Sequence, residues 1–302
     1  MRIILLGPQR RPTLDGATRS LGLSGPVATV TAGWQEREPD DAELSAYLGG
    51  RAVNLGLYRR WLDVQDRDPE YFAGARALAD VLAGLQDLYL LRLDYALRAV
   101  YAVQRRPASG DAVPDAVAAV RELDAGHLRR VNAARLEFFG RLAPHDRPVI
   151  AGHRAEVSAV LDGAAALVVA GGHAGVLAEV LHLFNIAAAL NGTPVIAWSA
   201  GAMALTDRIV LFGDRSPQGP GHAEVYGSGL SLLRDVVLLP HARARLLLDD
   251  TARMAVFARR FAPARCVPLE AGTRIDVSSD GAWPPGVRVL GEDGHVTARD
   301  AA

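Results

Sequence analysis

The run Val195-Ile196-Ala197-Trp198-Ser199-Ala200-Gly201-Ala202-Met203 passes from a compact apolar segment through a turn of small residues into a helix-forming segment, with Ser199 at the bend. That pattern suits a nucleophile. A serine held in a strained strand-to-helix turn presents its hydroxyl above the sheet, and small neighbours let the two backbone legs approach. Ala197 and Gly201 flank it as A-x-S-x-G. A serine hydroxyl stays unreactive at neutral pH until a base takes its proton, and His241 is the best placed of the eight histidines for that role. It follows the apolar run 236–239 and Pro240, so a strand end would lift it to the rim on which Ser199 stands. Gly171-Gly172 closes the preceding strand, where a backbone N–H could join the Ala200 N–H as an oxyanion hole for an attacked carbonyl. The same residues also suit plain structural work, since strand–small turn–helix units, glycine pairs and lone histidines recur in packed α/β cores.

Taken together, Gly171-Gly172, Ala197-Trp198-Ser199-Ala200-Gly201-Ala202 and Leu239-Pro240-His241 followed by Arg243 and Arg245 resemble the peptidase S51 family of dipeptidase E and cyanophycinase, within the class I glutamine amidotransferase-like superfamily. The resemblance covers residues 166–275 well and the opening strands plausibly; it does not extend to the long helical stretch. It implies a serine hydrolase acting on a small peptide or amide bond through an acyl-enzyme, without a cofactor. Ser199 is the implied nucleophile, His241 the base and Gly172 part of the oxyanion hole. The third member is implied at one of two carboxylates: Asp214, the preferred one, in the manner of peptidase E, or Glu270 in the manner of cyanophycinase. Either would hold the imidazole in its working tautomer and stabilise its cation. The chain departs from the family pattern at His173, where a polar amide or acid is common, and at Ala242, where an aromatic residue is common. Both changes bear on substrate preference. Cys266, the one cysteine, is far from the bend, which disfavours glutamine-derived ammonia transfer. Arg243 and Arg245 could clamp a substrate carboxylate or simply open a helix over 244–261, and His173, in a rim loop, is a further candidate for substrate binding. His222-Ala223-Glu224 has a metal-compatible separation but no third ligand, so no metal is expected.

The elements that must position these residues read as α/β. Residues 2–6, 27–31, 166–170 and 194–197 are strand-like runs, with 13–21 and 175–190 as helices between them. Further strands are expected at 209–212, 236–239, 266–269 and Arg274–Val277, and a terminal hairpin in 278–302. From 40 to 142 the texture turns helical. Leu78, Val81, Leu82, Leu85, Leu88 and Tyr89 recur at steps of three and four, predicting a helix of nearly 30 residues; Pro107-Ala108-Ser109-Gly110 breaks it, and a second long helix follows from Pro114. The expectation is one α/β domain over 1–302, a three-layer sandwich with a mostly parallel sheet, flavodoxin-like or class I glutamine amidotransferase-like, carrying 40–142 as a helical hairpin. Leu88, Tyr89, Leu90 and Leu91 are apolar almost all round the helix, so the hairpin could cover the sheet, form a homodimer or hold another protein.

The chain has 302 residues, half of them hydrophobic and 22% charged, the mix of a globular enzyme-sized protein. Its 33 basic and 34 acidic residues leave a net charge of −1 and no global field for nucleic acid or an anionic membrane. Every basic residue besides histidine is Arg, which removes P-loop, Schiff-base and Ser-Lys chemistry. The opening apolar run is too short for a signal-peptide core, and a single cysteine fits a reducing compartment, so a cytoplasmic location is expected. The rival class is a catalytically silent relative that binds a ligand or protein through the helical hairpin.

Overall fold

The structure is a computed structural model that describes residues 1–9, 14–107, 110–215, 221–278 and 281–299. Its strands are β1 (Ile3–Leu6), β2 (Val27–Val30), β3 (Ala52–Asn54), β4 (Ala166–Val169), β5 (Val195–Trp198), β6 (Ile209–Leu211), β7 (Glu224–Gly227), β8 (Val236–Pro240), β9 (Arg265–Leu269), β10 (Arg274–Val277), β11 (Val287–Leu290) and β12 (Val296–Arg299). β1, β2, β4 and β5 are buried at every position, as strands covered on both faces must be. They form a six-stranded sheet in the order β10-β1-β5-β4-β2-β3, parallel throughout except for β10. Alternation then makes two cores. Ile3, Leu5, Ala28, Val30, Leu167 and Val169 face one, with Tyr71, Phe138 and Leu177. Ile4, Leu6, Val27, Val168 and Ile196 face the other, under Leu14, Ala17, Leu44 and Leu48.

β8 and β9 do not extend this sheet. They pair in parallel with each other, and with β11 and β12 make a second sheet in the order β12-β11-β9-β8. The expectation that Ser199 and His241 stand over neighbouring strands of one sheet is therefore corrected: β5 and β8 belong to different sheets. Apolar runs announce strands but do not encode which strand they pair with. The terminal hairpin is β11–β12, joined to β9 through Leu290 and Cys266.

The helical hairpin consists of Pro69–Gln104 and Ala112–Leu142, of 36 and 31 residues. Pro69 opens the first helix, and Asp68 caps it by accepting the Tyr71 N–H at 3.0 Å. A buried polar network docks the hairpin on the body. Arg260, in the Thr251–Phe261 helix, donates to both Asp124 oxygens at 2.7 and 2.8 Å, to the Tyr89 hydroxyl at 2.9 Å and to the Ala223 carbonyl at 2.7 Å.

Three boundaries differ from expectation. The stretch 40–142 holds β3 as well as helices, because a three-residue edge strand carries too little pattern to read. The helix over 175–190 breaks at Asn185, which takes a left-handed conformation, into Ala174–Leu183 and Ile186–Ala189. The helix over 244–261 is two, Ala242–Arg245 and Thr251–Phe261, the second started by Asp250 accepting the Arg253 N–H. Thr13, Ala108 and Ser109, named at the start of the first helix and in the hairpin breaker, lie outside the described residues.

Candidate active site

At the end of β5 the chain reverses at Ser199, with φ 51° and ψ −128°, and enters the helix Ala200–Ala204. This region of backbone space is normally left to glycine, and a side chain held there stores on the order of 1–3 kcal/mol. Packing enforces the bend from both sides. A methyl at Gly201 would run into the carbonyls of Val169 and Ala170, so the helix leg can lie against β4 only with glycine there. As the first residue of its helix, Ala200 has an N–H without an intrahelical partner.

Gly172, at φ 126°, faces a loop that the sequence did not flag: a methyl on it would collide with the Gly33 carbonyl. The same carbonyl accepts the His173 N–H at 2.7 Å. Glu38, buried in that loop, accepts the Tyr58 and Arg59 N–H groups at 2.9 Å each, which ties the loop to the helix Leu57–Arg67. A carboxylate at a helix N-terminus is favoured by the unpaired N–H groups and the dipole.

His241 follows β8 and is also left-handed, at φ 58° and ψ 35°. Its N–H donates to the Leu269 carbonyl at 3.1 Å and its carbonyl accepts from Ala244 and Arg245 at 3.0 Å. The parallel register matching Pro240 with Leu269 brings His241 beside Glu270 at the end of β9. Glu270 Oε1 accepts the Arg243 N–H at 2.7 Å, in the turn that His241 opens. Asp214 is engaged elsewhere: its buried carboxylate receives Arg253 Nη2 at 2.6 Å and the Leu247 N–H at 3.1 Å.

Gly171, Gly172, His173, Ser199, Ala200, His241 and Arg245 line one cleft of 850 Å³. Arg243 is exposed and Glu270 half-buried, and neither is among the residues that line the cleft. Among the described residues no hydrogen bond joins Ser199 Oγ to His241. The cleft is also lined by Trp34, Arg37, Asp40, Glu43 and Tyr47, none singled out from sequence. Of these only Arg37 and Asp40 belong to the charge-rich run Glu36-Arg37-Glu38-Pro39-Asp40-Asp41, which reads equally well as a solvated turn.

No family model matches this chain, and no curated protein matches it. Among solved structures, a peptidase from an acI-B1 actinobacterium is similar at 14% identity and a TM-score of 0.45, with 96% of this chain and 91% of that one covered. A likeness of that size assigns no residue a role.

His173 is both a wall and a cap. Its Nδ1 accepts the Val176 N–H at 3.1 Å, and it lines both the cleft and a second, mostly apolar cavity of 630 Å³ that Trp61, Phe72, Leu82 and Tyr226 also line. His222 pairs with Asp94 at 3.4 Å, and Glu224 accepts from Gln86 at 3.0 Å, so the two turn toward the hairpin rather than toward a shared ion. Among the described residues no group of three His, Cys, Asp or Glu side chains gathers as metal ligands. Burial pushes the Cys266 thiol up to about 12, which keeps it protonated and inert as a nucleophile. No described helix is long and apolar enough to cross a membrane.

Proposed function

We propose that this chain is a serine hydrolase of the peptidase S51 type, which cleaves a small peptide or amide bond through an acyl-enzyme on a flavodoxin-like, class I glutamine amidotransferase-like sandwich. The observation that carries the proposal is the Ser199 backbone, strained at a strand-to-helix bend and opening on the cleft that His241 also lines. That is the shape of a nucleophile elbow. In the first step the Ser199 oxygen bonds to the substrate carbonyl carbon while His241 takes the hydroxyl proton. The carbonyl oxygen becomes an oxyanion, held by the Gly172 and Ala200 N–H groups. The tetrahedral species collapses, the C–N bond breaks, and His241 returns the proton to the departing amine. Water then repeats the sequence on the ester, releasing the acid and restoring Ser199.

We assign the third role to Glu270 rather than Asp214. Supporting Glu270 is its bond to the turn that begins at His241; against Asp214 stands its closed pair with Arg253. Arg245, exposed on the cleft wall, suits a substrate carboxylate, and His173 completes the wall near the bend. The near-neutral charge argues against nucleic-acid partners, and a single buried thiol fits the cytoplasm.

The rival, a silent binding relative, is favoured by the absence of a Ser199–His241 hydrogen bond. Such bonds are often long in unliganded enzymes and tighten on the substrate. Turnover of a panel of Asp-initiated and β-linked dipeptides discriminates the two. Hydrolysis lost in Ser199→Ala supports the enzyme; no hydrolysis of any member by well-folded wild type supports the rival.

A further inference from the structure

The helix Pro69–Gln104 uses one face to dock, burying Tyr89, Leu93, Leu97 and Val100, and carries a second apolar stripe on the face turned outward. Val81, Leu88, Leu91 and Tyr95 are 52, 64, 57 and 65% exposed. With Gly84, around whose missing Cβ nothing lies within 4 Å, they fall at 81, 84, 88, 91 and 95. Those steps alternate three and four, the heptad spacing of a coiled-coil seam, and continue for about 21 Å of helix. A stripe needed for the body would be covered. This one is not, and its spacing matches a second helix of the same kind.

The flanks say how that helix runs. Asp80, Asp87 and Asp94 precede the 81, 88 and 95 positions and line one edge of the stripe, whereas Arg92 lies on the other edge. Asp94 is held within the chain by Arg98 at 2.9 Å and by His222. Asp87 and Arg92 have no ion-pair partner among the described residues. An antiparallel pairing would set the acidic edge against its own copy. A parallel pairing brings Asp87 against Arg92 of the second copy, and the two-fold symmetry makes that contact twice.

We propose that two copies of this chain associate through a parallel, two-fold seam of Val81, Gly84, Leu88, Leu91 and Tyr95, with reciprocal Asp87–Arg92 pairs at its edge. Gly84 lets the backbones approach, and Leu88 sits at the centre. The seam is independent of the proposed catalysis and stands whether or not Ser199 is a nucleophile. Because Val81, Leu88, Leu91 and Tyr95 are more than half exposed in the monomer, they can be changed without unfolding it, the buried face being held by the Tyr89–Asp124–Arg260 network.

Sedimentation equilibrium on the full chain tests the seam. Wild type is expected to be dimeric, and Leu88→Glu monomeric with an unchanged circular dichroism spectrum. Asp87→Arg alone weakens association roughly tenfold, by turning two attractive contacts repulsive, and adding Arg92→Asp restores it. Val81→Cys reports direction: in a parallel seam it cross-links to its own copy on oxidation, the native thiol of Cys266 being buried. Wild type that stays monomeric at every concentration, or a Leu88→Glu protein that still dimerises, overturns the proposal. So does cross-linking of Val81→Cys only to a Tyr95→Cys chain, the signature of an antiparallel seam.

Discussion

Ser199 leans on Gly171 so closely that a methyl group added at Gly171 would lie 2.8 Å from the Ser199 Cβ. Carbon atoms prefer roughly 3.5–4.0 Å, so the end of β4 and the bend after β5 would have to part. Gly171→Ala is therefore expected to cost about 1–3 kcal/mol of stability and to move the hydroxyl away from the cleft. Urea denaturation measures the first effect; dipeptide hydrolysis by the folded fraction measures the second. A Gly171→Ala protein with wild-type stability and turnover would show that the bend has room to spare.

The two carboxylates separate by what their loss does. Glu270→Gln should keep the fold and lower kcat by roughly 10²–10⁴ with little change in KM, because it leaves imidazole and serine in place but removes the negative charge supporting the cation. Asp214→Asn instead leaves Arg253 without its buried partner and should cost about 3 kcal/mol of stability, with activity retained in the protein that folds. Kinetics and denaturation of both variants check the assignment; the opposite pattern would return the third role to Asp214.

Much of the site was legible before the fold. The bend at Ser199, the strand ends before Gly171 and His241, and both long helices follow from apolar runs and three-four spacing, since those patterns are set by local geometry. What was not legible depends on distant partners. Nothing near Asp214 announces Arg253, 39 residues on. Glu38 reads as one charge in an acidic run until the Leu57–Arg67 helix is placed over it. β7 alternates buried and half-buried residues, but over four positions that include a glycine.

Arg260→Met should destabilise the protein by about 3–5 kcal/mol, because it strands the Asp124 carboxylate and the Tyr89 hydroxyl in the interface that docks the hairpin. Chemical denaturation measures the loss. A destabilisation below 1 kcal/mol would mean the hairpin docks by apolar contacts alone, within the usual range for a neutral swap.

Stability should fall on mild acidification. Burial holds His127, His182 and His222 below the ordinary histidine value. In the unfolded chain these rings take up protons near pH 6.5, while the folded rings resist. The unfolded state then binds more protons, so stability is full above about pH 6.5 and declines as pH drops below it. His127 stacks on Tyr89 with ring centroids 4.1 Å apart, and its ring nitrogens are buried beside the Val225 backbone without a well-formed hydrogen bond among the described residues. His127→Phe should accordingly raise stability by about 1 kcal/mol at neutral pH and flatten the decline. Thermal midpoints at pH 5.5 and 8 for the two proteins provide the check, and a decline just as steep in His127→Phe would clear this ring of a part in it.

The most direct test of a nucleophile at Ser199 is covalent capture. Wild-type protein treated with a fluorophosphonate should gain one adduct, located at Ser199 by peptide mass mapping, and His241→Ala should label far more slowly while Ser199→Ala does not label at all. Well-folded wild type that takes up no probe, or takes it up at a residue other than Ser199, would contradict the account.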